Sequence, residues 1–130
     1  MEGDAESPTI HFDPETDIFR IFGKSTLHNA EAHFRPAIQW LKQHAAQGFA
    51  HLTIEFNFEY FNLGTSKMVL EVLYFLDKLA REGRNVTVQW CCPADDDHMC
   101  EVGMDLSQLV SLPFSIGTQL PQPELEPAIA

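Results

Sequence analysis

Between His51 and Trp90 the chain changes its hydrophobic period twice, and few folds accommodate such a change. His51-Leu52-Thr53-Ile54-Glu55-Phe56-Asn57-Phe58 alternates at period two, with Leu52, Ile54, Phe56 and Phe58 on one face, as in a strand covered on one side. Met68, Val69, Val72, Leu73, Leu76, Leu79 and Ala80 then recur at three- and four-residue steps, the stripe of an amphipathic helix. Arg81-Glu82-Gly83-Arg84-Asn85 closes that helix with a basic last turn and a glycine stop. Val86-Thr87-Val88-Gln89-Trp90 returns to β-branched and aromatic residues. Strand, helix and strand in this order form a parallel crossover.

The flanking segments extend the pattern. Thr9-Ile10-His11-Phe12 and Ile18-Phe19-Arg20-Ile21-Phe22 are β-type runs separated by the Pro-containing turn Asp13–Asp17, which predicts an opening hairpin, and Gly23-Lys24-Ser25-Thr26 leads out of it. Asn29, Ala30, Phe34, Ala37, Ile38, Leu41 and Ala45 mark a first helix ended at Gln47-Gly48, with Pro36 as either a kink or a sign that the helix starts nearer Arg35. After the acidic run Asp95-Asp96-Asp97 a short helix passes through Glu101, Met104, Leu106 and Leu109, and Leu112–Ile116 supplies a last edge strand. The expected fold is α/β: a single domain with a mixed sheet of about four to five strands and helices packed against it. Its bounds are 9–116, with a flexible N-terminus over 1–8 and a disordered Pro-containing tail over 117–130.

Charge and cysteine usage narrow the function. A net charge of −11, with only 8 Lys and Arg, is unsuited to neutralising phosphates, so neither nucleic acid nor an anionic membrane is expected as a partner. A basic patch on a protein partner suits it better. Three cysteines, two of them adjacent, are poor material for a disulfide framework, and small core residues in a reducing cytoplasm are expected instead. The acidic N-terminus has no signal-peptide pattern, and no apolar run approaches a membrane span.

The chemistry-bearing stretch is Asn62-Leu63-Gly64-Thr65-Ser66-Lys67, where the strand pattern stops and the helix begins. Hydroxyls at a helix entrance serve two purposes. They cap the first free N–H groups, and they stand where the helix dipole stabilises an anion such as a phosphate. Leu70, Tyr74 and Phe75 fall off the main apolar stripe of this helix. They predict either a partner surface or a helix buried on two sides.

Other constellations are weaker. Cys91, Cys92, His98 and Cys100 are of zinc-ligand type, but adjacent strand residues point to opposite faces and no C-x-x-C pair exists. Asp95-Asp96-Asp97 lacks the spacing of a calcium loop, and no glycine-rich nucleotide signature is present, so neither metal nor cofactor is expected. His33, His44 and His51 are expected as surface or satisfied structural residues. No nucleophile–base–orienter set has a recognisable order, and the residual enzyme reading is a small hydrolase built around Cys100 and His98.

Phe34-Arg35-Pro36 with Trp40-Leu41, Phe58-Glu59-Tyr60-Phe61-Asn62 with Lys67, Val86–Trp90, Asp95-Asp96-Asp97 with Met99, Glu101 and Gly103, and Leu112-Pro113-Phe114 together resemble the SiaC family of regulatory phosphoproteins. The resemblance runs from about Thr9 to Ile116 and implies a fold similar to the STAS domains of anti-sigma-factor antagonists. It also implies a non-catalytic partner switch. A protein kinase phosphorylates a hydroxyl after Asn62, and a metal-dependent phosphatase removes the phosphate. The unmodified form activates a diguanylate cyclase, which places the domain in cyclic di-GMP signalling and so in biofilm formation or aggregation.

The family loop reads Asn-Thr-Ser-Ser before its lysine, so Leu63 stands where the acceptor threonine belongs. Either the acceptor has moved to Thr65 or, second in order, Ser66, or the chain is a constitutively unphosphorylated binding protein. Gly64 leaves the backbone open to close approach. The expected partner surface is Asn62, Leu63, Gly64, Lys67, Leu70, Tyr74 and Phe75.

Overall fold

The computed structural model describes residues 7–13, 15–26, 29–92 and 96–118. Strand β1 (Thr9–Asp13) and β2 (Ile18–Ser25) form the opening hairpin, followed by α1 (Ala30–Gln47), β3 (Leu52–Phe61), α2 (Leu63–Arg81), β4 (Val86–Cys92), α3 (Asp97–Ser107) and β5 (Phe114–Thr118). The sheet is mixed and has five strands in the order β1-β2-β3-β4-β5. Only the β1–β2 pair is antiparallel.

Three successive parallel crossovers step the same way across this sheet, so right-handed connections put α1, α2 and α3 on one face. Burial agrees with that placement. Leu52, Ile54, Phe56 and Phe58 on β3 and Val86, Val88, Trp90 and Cys92 on β4 are buried, whereas Thr53, Glu55, Thr87 and Gln89 between them are at least partly exposed. The opposite, helix-free face carries polar contacts such as Arg20 Nε to Glu55 Oε1 at 3.2 Å.

Several boundaries differ from expectation for physical reasons. Pro36 neither starts nor ends α1; the helix begins after Asn29, whose side chain accepts from Ala32 N–H, and runs through the proline. Strand β2 continues through Gly23, whose φ of +107° only glycine adopts without strain. At that point the β2–β3 ladder shifts, pairing Gly23 with Phe58 but Lys24 with Tyr60. Glu59 is left over, and the bulge reverses the inside–outside alternation of β3. Phe61 turns toward the core, its ring 4.8 Å from Phe58, and Tyr60 turns out. Strand β5 takes in Gly117 and Thr118, which the expected tail included; residues 1–6 and 119–130 lie outside the described residues.

Two anchors hold the helices in place. Arg35 on α1 pairs with Glu71 on α2, Nη2 lying 3.2 Å from Oε1. Asp77, buried near the end of α2, accepts from Ser111 N–H at 2.9 Å and Ser111 Oγ at 3.0 Å and pairs with Arg81 at 2.9 Å. Burial would raise the Asp77 carboxyl, but these donors more than offset it and hold the pKa below its ordinary value.

Candidate functional site: a groove between two helix entrances

Strands β2, β3 and β4 run parallel, so Ser25, Phe61 and Cys92 end at the same sheet edge, and α2 and α3 both enter there. Residues 63–67 form the first turn of α2. Asn62 is its N-cap, with Oδ1 accepting Thr65 N–H at 3.0 Å, while the Asn62 N–H reaches Ser25 O at 3.0 Å. The α3 entrance uses the same device: Asp96 Oδ1 accepts Met99 N–H at 3.0 Å.

Thr65 is turned inward. It is 0% exposed, and its Oγ1 lies 2.6 Å from the equally buried Ser25 Oγ, so each hydroxyl satisfies the other. Ser66, one residue on, is half-buried and donates to Leu63 O at 2.6 Å. Of the two candidate acceptors, Ser66 is therefore the one within reach of a partner in this conformation. Leu63 is 80% exposed and Tyr60 54%. A Cβ at Gly64 would meet only Asn62 Oδ1 at 3.8 Å and Ala30 at 4.0 Å, so packing does not demand a glycine there.

Between the two entrances lies a groove of about 290 Å³ lined by Tyr60, Phe61, Asn62, Leu63 and Ser66 on one side and His98, Met99 and Val102 on the other. Gly64 and Lys67 are exposed beside it. Leu63, Lys67, Leu70 and Tyr74 follow at steps of four, three and four residues, so one ridge of α2 leads away from the groove. Tyr74 is 51% exposed on this ridge, and Leu70 is half-buried. Phe75 does not join it: the ring packs against the core toward α1, with Lys42 Nζ 5.8 Å from its centroid.

The cysteines do not behave as expected from spacing. Cys92 and Cys100 form a disulfide, Cα to Cα 5.3 Å, which corrects both the reading of all three as small core residues and the hydrolase built around Cys100. Alternation did separate Cys91 from Cys92, but Cys92 thereby faces the helices, where the first turn of α3 returns over it. Cys91 remains a free thiol on the other face; burial, then Glu55, pushes its pKa up. Among the described residues no group of His, Cys, Asp or Glu is arranged to hold a metal ion, and no helix is long and apolar enough to cross a membrane. His33, His44 and His51 contact Pro8 O, Asp17 Oδ1 and Thr87 Oγ1.

The α3 wall is held by more than its cap. Trp90 Nε1 donates to Met99 O at 3.1 Å, and a Cβ on Gly103 would stand 2.4 Å from Trp90 Cδ1, so only glycine lets α3 lie on the indole. Sequence reasoning missed Tyr60, Ser25 and Val102 as parts of this region.

Fold and edge together define an α/β domain with helices on one sheet face and a groove at the C-terminal ends of its central strands. The chain belongs to the SiaC family: the model for SiaC family regulatory phosphoproteins matches residues 1–119. An uncharacterized protein of Pseudomonas aeruginosa (strain UCBPP-PA14) is 24% identical over 116 residues, 89% of this chain and 92% of that protein. The fold matches a chain in the crystal structure of the Pseudomonas aeruginosa diguanylate cyclase SiaD in complex with its activator SiaC, with a TM-score of 0.87 at 23% identity, covering 92% of this chain and 98% of that one. Apo-SiaC from the same organism matches with a TM-score of 0.83 at 24% identity, covering 92% and 96%.

Proposed function

We propose that this chain is a non-catalytic, cytoplasmic activator that docks on a diguanylate cyclase through the groove and the outer ridge of α2, and so raises cyclic di-GMP. The observation that carries the reading is the exposure of Leu63 and Tyr60 at the entrance of α2 in a SiaC-family chain. Large apolar groups beside a mostly apolar groove suit a protein partner better than a small substrate. The acidic surface, with a net charge of −11, favours a basic face on that partner.

Control by a protein kinase and a metal-dependent phosphatase is part of the same proposal, with Ser66 as the acceptor ahead of Thr65. Ser66 lines the groove, whereas the Thr65 hydroxyl is shielded by Ser25. A phosphoryl group on Ser66 adds about −1.5 to −2 charges next to Leu63 and Tyr60. Placed in an apolar contact it is poorly solvated, so it releases the cyclase without unfolding the domain.

A second reading is favoured by one observation. Leu63 has no hydroxyl and Thr65 is sealed, so a chain whose kinase does not reach Ser66 stays permanently competent to bind.

The test combines the purified chain with the diguanylate cyclase and the kinase of its own genome. Stimulated cyclic di-GMP synthesis, abolished after kinase treatment that fragment-ion mass spectrometry maps to Ser66, is the expected result. Stimulation that kinase and ATP leave untouched, with no added phosphate in the intact mass, selects the permanently competent form. Absence of any binding to the cyclase overturns both readings.

A further inference from the structure

One wall of the groove is fastened covalently, and the fastening belongs to this chain's own cysteines. Cys92 ends β4, is buried, and faces the helices; Cys100 sits half-buried in the opening turns of α3, one residue past Met99, which lines the groove. Their bond closes a loop with a sequence separation of only 8 residues. Cys92 Sγ also lies 3.4 Å from Gly117 O, an acceptor that a reduced thiol can use and a disulfide sulfur cannot. Both oxidation states of Cys92 therefore have a satisfied environment. Cys91, the third thiol, is held on the opposite face of the sheet by strand alternation and does not compete for Cys100.

We propose that Cys92 and Cys100 form a reversible dithiol–disulfide site that sets the order of the α3 entrance, and with it the fit of the groove to its partner. The consequence for docking rests on the proposed function above, and the regulatory sense rests on the cytoplasmic placement proposed there, since disulfides in reducing compartments are usually transient and redox-sensing.

The oxidant is a peroxide. The more accessible Cys100 thiolate attacks its O–O bond, forming a sulfenic acid and expelling hydroxide, which takes up the proton the thiol gave and leaves as water. The Cys92 thiol then attacks that sulfur, forming the S–S bond and expelling a second water. In sum, two thiols and hydrogen peroxide give one disulfide and two waters. Two small-molecule thiols such as glutathione return both electrons by exchange and leave as glutathione disulfide. In the oxidised form the opening turns of α3, which carry His98, Met99 and Val102, are tethered to β4. In the reduced form only the Asp96 cap, the Trp90–Met99 hydrogen bond and packing hold it.

The experiment takes the full chain through reduction by glutathione and reoxidation by hydrogen peroxide. It follows non-reducing peptide mass, hydrogen exchange over residues 97–104, and affinity for the diguanylate cyclase of the same genome. Reversible formation of the 92–100 bond, exchange faster on reduction by about tenfold, and weaker cyclase binding by a similar factor are expected. Cys91→Ser is expected to behave as the unmodified chain, while Cys92→Ser with Cys100→Ser mimics the reduced form at every poise. The proposal is overturned by a pair that peroxide does not oxidise, by exchange indifferent to redox state, or by equal cyclase affinity of both forms. Failure of the cyclase to bind either form counts against the proposed function instead, and the redox dependence of exchange then decides the switch by itself.

Discussion

The entrances of α2 and α3 face each other across one groove and are capped alike, by Asn62 and by Asp96, each accepting an N–H three residues on at 3.0 Å. They differ in what lies beneath. Under α2 two buried hydroxyls, Ser25 and Thr65, meet at 2.6 Å; under α3 lie a disulfide, an indole hydrogen bond and a glycine pressed onto Trp90. They differ also in what they display, since α2 presents Leu63 almost bare while Met99 on α3 is buried. The contrast teaches that the covalent and closest-packed local fastenings sit at the α3 entrance, while the most exposed apolar side chain sits at the α2 entrance. The α2 entrance is held by its cap, by the buried hydroxyl pair and by the apolar stripe that starts at Met68 and Val69.

The largest expected effect strikes the fastened wall. Gly103→Ala puts a Cβ into the Trp90 ring, and the overpacking is expected to destabilise the protein by about 3 kcal/mol in urea denaturation. A change below about 0.5 kcal/mol would show that α3 rides freely on the sheet and would break the contrast. Next comes the disulfide, whose loss is expected to lower stability by about 2.5 kcal/mol, as loop-closure entropy gives for so short a loop, read from the same denaturation with and without reductant.

On the displaying wall the effects separate. Leu63→Ala is expected to leave stability within about 0.5 kcal/mol, because the side chain is exposed, while weakening cyclase affinity by about 2 kcal/mol, roughly thirtyfold. Unchanged binding in calorimetry would move the partner surface off this entrance. Thr65→Val, which removes the partner of the Ser25 hydroxyl at constant shape, is expected to lower the denaturation free energy by about 1 kcal/mol. It should also leave kinase-dependent mass gain intact, whereas Ser66→Ala should abolish that gain. The opposite pattern in intact mass would identify Thr65 as the acceptor, reached by opening of the first turn.

Some of this site was legible before folding. Asn62 as the start of a helix, the apolar stripe of α2 and the strand at Val86–Trp90 follow from periods and caps, which are local properties of the chain. Tyr60 was not legible, because its outward turn comes from a ladder shift opposite Gly23, a residue 37 positions earlier in the sequence. Nor was the difference between Thr65 and Ser66. Both are hydroxyls one residue apart, and only the Ser25 side chain arriving from β2 makes one structural and leaves the other accessible.

The sequence by itself determined the order of elements, the single mixed sheet, the buried stripes of α1 and α2 and the buried face of β3 as far as Phe58, and membership in the SiaC family through motifs spread along the chain. These rest on short-range periodicity and on residue identity, which a linear string carries in full. Only the tertiary structure decided that β2, β3 and β4 finish at one edge, that Cys92 meets Cys100 and not Cys91, and that Leu63 and Tyr60 stand exposed around one groove. Each of these is a contact or an exposure set by elements remote in sequence, and remote contacts are fixed by packing a whole sheet against three helices, not by any local preference.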